Sequence, residues 1–423
     1  EVRTAAQVGE ELRVEPTLDP GLEQSPLRGV VLLLAVAELG DQLLVRFELL
    51  GFGPDDFGDD QRCRSAHDAG GDQMPGNIRE DALEQTDVGG QNPACDRCKA
   101  PSHDRRELRH AHLPDERGNH QGRLGLADED EARGRHYANE YGAHLYPTYQ
   151  ALLEEADGVI ICSENSKHRT ITELAAQAGV HVLCEKPLAT TLSDAQAMID
   201  ICRAAGVILM TAFPMRFSTP VKQVKNRLDR GDLGQVYCLN TTNQGRMPIA
   251  ERRWFVDKEL AGGGAVMDHT VHLADIMRWY LGQEVREVYA QANNILHAER
   301  VNVESGGLLM LTFADGTFAS LDASWSKPLN YPTWGGLTMK IISQRGLTTV
   351  DAFSQNLNRF VQDPPGNAWI YWGSDADQAM VEEFVAAIRH NRQPQVTGED
   401  GYKALEIVMA AYESAESGQP VAL

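Results

Sequence analysis

The sequence predicts an α/β protein: a Rossmann-type parallel-sheet domain followed by an α+β domain with an open antiparallel sheet. Three observations carry this expectation. From Leu124 onward, short and nearly continuous apolar runs alternate with helical patterns, as in strands covered on both faces and joined by crossover helices. After Phe213 the apolar runs lengthen and pair through glycine-containing turns, the mark of hairpins. Composition also breaks near residue 123, because all 11 tyrosines and all 6 tryptophans lie beyond it. The resulting division is an anomalous segment at 1–123, a partial nucleotide-binding domain at 124–215 and a substrate and oligomerisation domain at 216–423.

Each element follows from its own stretch. A short strand "GLAD" ends at Asp128 and leads into the helix "DEDEARGRHYANEYG". The strands "GVIICS", "VHVLCEK" and "VILMTAF" then alternate with the helices "SKHRTITELAAQAG" and "LSDAQAMIDICRAAG". In the second domain "QVYCLNTTNQ" and "VREVYAQANNI" read as strands, and two hairpins turn at Asp315-Gly316 and Arg345-Gly346. Two amphipathic helices close the chain, the second opening on the cap residue Thr397.

Charge and hydropathy narrow the partners. With 61 acidic against 39 basic residues the formal net charge is −22, which opposes binding to nucleic acid phosphates and anionic membranes. The longest aliphatic run, Val30 to Ala37, is far short of the roughly 20 residues that cross a bilayer. It also lies too far from the terminus, behind acidic residues, for a signal peptide. Seven scattered cysteines suit a reducing cytoplasm.

Ligands of such sheets bind at the carboxyl ends of the strands, and the polar residues there are the candidates. Lys186 is held between a strand end and Pro187, placed to stabilise the alkoxide-like oxygen that develops as hydride leaves a carbon. In "GGGAVMDHTVHLADIMRWYLG", Asp268, His272 and Asp275 fall at i, i+4 and i+7 on one helix face. A histidine there can take a proton near neutral pH. An internally satisfied Asp-His stripe is the structural alternative. A metal site of Asp268, His269 and His272 is a weaker one, for want of further ligands. Ser163, Asn165 and His168 follow another strand end, and Asp128 suits either the adenosine ribose of NAD or a helix N-terminus. Cys95 and Cys98, with His103, His110 and His112 beyond, fit no standard zinc finger.

Taken in order, "GLADEDEARGRHYANEYGA", "GVIICSENSKH", "HVLCEKPLA", "MRFSTP", "GGGAVMDHTVHLADIMRWYLG" and "TGEDGYKALEIVMAAYESAESGQPVAL" resemble the Gfo/Idh/MocA oxidoreductases, the glucose-fructose oxidoreductase and inositol dehydrogenase group, over residues 124 to 423. The resemblance implies NAD(P)-dependent hydride transfer to or from a sugar, inositol or related polyol, with NAD expected over NADP. It also implies a homo-oligomer, dimer or tetramer, formed through the C-terminal sheet. Carried over residue by residue, it gives Lys186, Asp268 and His272 as the catalytic set. Asp128, Ser163, Asn165, His168, Glu185, Lys186 and Arg216 become the cofactor set, with no metal. His272 would accept the hydroxyl proton while Lys186 and Asp268 position the oxygen. A regulatory protein that binds without turnover and an NAD-dependent glycoside hydrolase are the alternatives within the family. Trp254, Arg246, Tyr331 and Trp334 are candidates for the substrate pocket.

The sequence departs from the family pattern in three places. Glu164 stands where proline is common, and His269 and Thr270 stand where many relatives carry an aliphatic residue and glycine. Most importantly, the glycine-rich turn and first strand expected within about 30 residues of Asp128 are not recognisable. The candidate pair Gly51 and Gly53 lies too far upstream. Residues 1–123 also hold 13 arginines against one lysine, Lys99, and no regular periodicity. They read as an out-of-frame or appended extension, leaving a Rossmann sheet without its first strand.

Overall fold

The computed structural model describes residues 33–36 and 124–423, apart from residues 251, 332, 363 and 364. The glycine pair Gly51 and Gly53, the Cys95–Cys98 motif with its histidines, and the rest of the 1–123 segment lie outside the described residues.

The first sheet is wholly parallel. Its strands are β1 (Leu33–Val36), β2 (Gly125–Leu126), β3 (His144–Leu145), β4 (Gly158–Cys162), β5 (His181–Cys184) and β6 (Leu209–Thr211), in the order β3-β2-β1-β4-β5-β6. Crossover helices α1 (Glu131–Tyr141), α2 (Tyr149–Leu153), α3 (His168–Gln177) and α4 (Leu192–Ala205) connect them, and α5 (Thr219–Asp229) follows β6. Val159, Ile160, Ile161, Val182 and Leu183 have no solvent exposure, which is why these strands read as unbroken apolar runs.

The first-strand position, expected to be vacant, is filled. Leu34 pairs with Leu126 on one side and Ile160 on the other, so β1 lies centrally between β2 and β4. The aliphatic run at Val30 to Ala37 supplies it. Without β1, two strands in the middle of the sheet would each present an unpaired row of backbone N–H and C=O groups.

The second sheet contains β7 (Val236–Arg246), β8 (Val285–Asn293), β9 (Gly306–Phe313), β10 (Phe318–Lys327), β11 (Gly335–Ser343), β12 (Gly346–Asp351) and the short β15 (Val421–Ala422), in the order β12-β11-β7-β10-β9-β8-β15. It is mixed, not purely antiparallel as expected, because β7 and β10 run parallel. The chain leaves β7 through α6 (Lys258–Ala261) and α7 (Ala265–Leu281), then returns by way of β8 and β9, a crossover long enough to bring β10 alongside in the same direction. The two expected turns are present, with Gly316 and Gly346 at φ +90° and +126°, where an L side chain is strained. A further hairpin, β13 (Asn356–Gln362) with β14 (Pro365–Tyr371), precedes α8 (Ala376–Arg389) and α9 (Gly398–Ser417). Thr397 caps α9 as expected, its hydroxyl accepting from the Asp400 N–H while Asp400 accepts from the Thr397 N–H.

α7 runs through the centre of this domain and carries the candidate chemistry. Its three-glycine entry is dictated by close neighbours. A methyl on Gly263 would overlap the Tyr412 hydroxyl, and one on Gly264 would overlap the Glu304 carbonyl oxygen. Glu304 closes the entry: its carboxylate accepts from Gly264 N at 2.7 Å, Val266 N at 3.1 Å and the Tyr412 hydroxyl at 2.7 Å. An anion at a helix N-terminus satisfies otherwise orphaned N–H groups and complements the dipole.

Candidate active site

The site forms where the end of β5 meets the first turns of α7. Lys186 Nζ donates to Asp268 Oδ1 at 2.7 Å and to the Asp268 carbonyl at 3.2 Å. The second carboxylate oxygen accepts from Trp325 Nε1 at 3.3 Å, and His269 Nε2 lies 3.6 Å from it. Burial would raise the Asp268 pKa, yet the Lys186 ammonium, backed by His269 and Trp325, holds it well below the usual carboxylate range. Asp268 is therefore an anion that fixes the ammonium.

His272, one turn on, is half-buried with its ring edge-on to Phe213 at a centroid distance of 6.1 Å. Burial, reinforced by the nearby Lys186 charge, pushes its pKa well below the ordinary histidine value. The lowered pKa favours the neutral ring at pH 7, and its buried Nδ1 has no hydrogen-bond partner among the described residues. A neutral imidazole with an unused nitrogen is a group prepared to receive a proton. His269 is likewise pushed down by burial, and its Nε2 also lacks a hydrogen bond.

Asp275, on the same stripe, belongs to different chemistry. It receives Arg216 in a fork, Nε to Oδ2 at 2.7 Å and Nη2 to Oδ1 at 2.5 Å, and Arg216 also meets Asp400 at 2.9 Å and the Gln395 carbonyl at 3.0 Å. This corrects the expectation for Arg216. Its guanidinium is held in a buried ion network between α7 and α9.

The remaining cofactor candidates separate by what they touch. Asn165 Nδ2 donates to the Ala261 carbonyl at 2.8 Å, and the residue lines a small crevice with Pro187, Phe255, Gly264 and Asp268. Ser163 is buried beside it, its hydroxyl 3.3 Å from the Glu164 carbonyl. Glu185 is half-buried at the end of β5, where burial raises its pKa against the pull of Lys186. His168 is corrected. Its ring is fully buried, Nδ1 facing the Pro187 and Leu188 carbonyls at 3.1 and 3.2 Å and Nε2 facing the Ser163 carbonyl at 3.2 Å. It ties the loop after β4 to the loop bearing Lys186, and so positions the site without reaching into it.

Asp128 stands beyond the end of β2, both carboxylate oxygens occupied by Arg133 at 2.7 Å. Lys167 joins the neighbouring loops, meeting Glu129 at 2.6 Å and Glu164 at 3.1 Å. Glu164, the departure from proline, thus has a partner. Asp128, Asn165 and Lys186 follow β2, β4 and β5, which span three strand spacings, or about 14 Å. That row crosses the topological switch point beside β1, the place where an extended dinucleotide lies in such sheets. The polar groups present there fit a nicotinamide dinucleotide; the turn that would follow β1 lies outside the described residues. Among the described residues no group of three or more His, Cys, Asp or Glu is placed to hold a metal ion.

Residues 108–213 match the family described as "Oxidoreductase family, NAD-binding Rossmann fold", and residues 221–348 match the "GFO/IDH/MocA C-terminal domain". The chain belongs to the Gfo/Idh/MocA oxidoreductase family. The first match begins at residue 108, upstream of Leu124. The chain is 27% identical to the myo-inositol 2-dehydrogenase of Thermotoga maritima over 70% of its own length and 90% of that protein. It is 30% identical to D-xylose 1-dehydrogenase (NADP(+)) 2 of Haloferax volcanii, over 70% of this chain and 91% of that one. The structure of GenD2 from gentamicin A biosynthesis, in complex with NAD, superposes with a TM-score of 0.65 at 25% identity, covering 72% of this chain and 90% of that one.

Several site residues escaped the sequence reading. Trp325 sits at an inward position of β10 and is fully buried, so its role as an Asp268 donor was masked by ordinary strand alternation. Glu304 is remote from α7 in sequence and carries no local signal. Arg133 was detectable, because it falls five residues after Asp128 on the first turn of α1.

Proposed function

We propose that the chain interconverts a secondary alcohol of a sugar or cyclic polyol and the corresponding ketone, with NAD as the hydride partner. The observation that carries this reading is the Lys186–Asp268 pair at the mouth of the parallel sheet, one helical turn from a neutral His272. When bound, nicotinamide accepts or returns the hydride. His272 takes the hydroxyl proton, Lys186 donates to the developing alkoxide, and Asp268 keeps the ammonium in place. Asn165, Ser163 and Glu185 are the groups that would hold the nicotinamide half, and Asp128 the adenosine ribose.

NAD is favoured over NADP by the charge arrangement at Asp128. Ribose hydroxyls need only the lone pairs that Asp128 retains, whereas a 2′-phosphate would have to draw Arg133 away and leave a carboxylate beside the phosphate. The oligomer interface is assigned to the outer face of the second sheet. Tyr289, Leu308, Met310 and Phe318 are exposed there, opposite the buried Leu309, Leu311 and Leu321. The four cysteines described are unpaired and buried, which agrees with a reducing compartment such as the cytoplasm.

The test is a panel of sugars, inositols and acyclic polyols, read by the absorbance of the reduced cofactor. Turnover on a member, abolished in H272N and retained with NAD over NADP, is the expected result. Binding without absorbance change would assign the chain to the non-catalytic, regulatory class instead, and cleavage of a glycoside with catalytic NAD would assign it to the hydrolase class.

A further inference from the structure

The loop between β7 and α6 holds a cation with no hydrogen-bonding or ion-pair partner for its side chain among the described residues. The Arg252 guanidinium lies between two aromatic rings, 5.2 Å from the Phe255 centroid and 5.4 Å from that of Trp334. Its Nε is buried and donates to no described group, and no described carboxylate or carbonyl receives the fork. Three other arginines withdrawn from solvent are ion-paired: Arg133 meets Asp128, Arg216 meets Asp275 and Arg278 meets Glu284. Ring stacking covers the faces of a guanidinium but uses none of its five in-plane N–H donors. Its buried Nε is thus left without a partner among the described residues.

Its location ties it to the chemistry. Phe255, on which Arg252 rests, lines the crevice that also contains Asn165 and Asp268, and the Arg252 charge reaches Glu185 at the end of β5. Trp254 Nε1, two residues after Arg252, is a second buried donor without a hydrogen-bond partner among the described residues. Arg246 stacks on the same Trp334 ring at 5.7 Å, and Lys327 lies 4.5 Å from the Tyr331 centroid. In a chain of net charge −22, cations gather at this mouth. A neutral hydroxyl would use one N–H of the fork, while a carboxylate uses two in parallel and brings the opposite charge.

We infer that the substrate carries a carboxylate, as in a uronic or aldonic acid, and that Arg252 is the residue that receives it. The inference rests on the dehydrogenase reading given above and narrows it to sugar acids.

The experiment compares matched pairs, glucose with glucuronate and galactose with galacturonate, in the wild type, R252Q and R252K. The acid member of a pair should be preferred at least tenfold in kcat/KM. R252Q should erase that preference through KM, with neutral sugars and NAD changed less than about threefold, and R252K should keep part of it. Calorimetric binding of glucuronate to the same three proteins reads the contact without turnover. Equal use of both members, or a KM for NAD that rises in R252Q as much as that of the acid, overturns the inference and returns Arg252 to a cofactor or structural role. Acids that bind through Arg252 but are never oxidised would sustain the inference while refuting the dehydrogenase reading.

Discussion

Lys186→Met separates a catalytic role from a structural one, and the structure sets its size. As a strand-end residue Lys186 reads as dispensable to the core. Its pairing with Asp268 makes it otherwise, because Asp268 is buried with its side chain only 6% exposed. Removing the ammonium leaves a carboxylate whose nearest remaining hydrogen bond is the 3.3 Å contact from Trp325. Breaking one side of a buried pair costs about 3–5 kcal/mol. That is roughly a thousandfold in the unfolding equilibrium, and a fall in Tm on the order of 5–10 °C.

The pH dependence follows from the sign of the shift. In the wild type the folded Asp268 pKa lies below the unfolded value of about 3.9, so its stabilisation is complete above that pH and is lost as pH falls through the folded pKa. In K186M burial is left to dominate and the folded pKa rises above the unfolded one. The deficit of the variant should therefore already be large at pH 4, where the wild type keeps its stabilisation, and widen further toward pH 7 as the variant's buried carboxylate is forced to ionise. K186M/D268N, which buries no charge, should recover most of the stability and none of the turnover. Thermal melts from pH 4 to 8 on the four proteins, with kcat measured in parallel, decide the matter. Melting curves of K186M that overlay the wild type across the range, or a double variant no more stable than K186M, would refute the reasoning.

Three further outcomes follow from the same geometry. H272N should lower kcat/KM by about 10²–10⁴; because burial depresses the His272 pKa, wild-type kcat/KM should stay level from pH 8 to 6, and a fall centred near 6.5 would contradict the assignment. Asp128→Ser should shrink the preference for NAD, measured as the ratio of kcat/KM for the two cofactors, and an unchanged ratio would remove Asp128 from cofactor selection. Gly263→Ala forces the Tyr412 hydroxyl aside and should cost about 1–3 kcal/mol; Tyr412→Phe in that background should restore part of the loss in a denaturant melt, and no restoration would mean that the overlap lies elsewhere.

What the sequence conveyed, and what it withheld, follows the range of the interactions. Lys186 and the Asp268-His272 spacing are local, set by a strand end and by helical periodicity, and they meet in space as the pattern implies. Arg216 and Asp275 were harder, because a polar group on a buried helix looks the same whether its partner is substrate or protein. Asp400, which joins them, is far along the chain on α9. His168 reads as an exposed loop histidine until both of its nitrogens are seen facing carbonyls of the Ser163 and Pro187 loops. The long-range partner, in each case, decided the role.

The first strand makes the same point most sharply. A βαβ unit is recognised by its closeness in sequence, and 88 residues, 37–124, separate β1 from β2. The run at Val30 to Ala37 is visible as an aliphatic stretch, but hydropathy alone assigns it to no neighbour. Pairing does. β2 and β4 each have one edge that must be satisfied, the right-handed crossover rule fixes the direction of the strand between them, and Leu33–Val36 meets both edges in parallel register. The family match, which begins at residue 108, covers the sheet from β2 onward and leaves this strand outside it. The centre of the sheet is therefore supplied by a strand that lies outside the family match, and the row from Asp128 to Lys186 depends on that strand for its spacing.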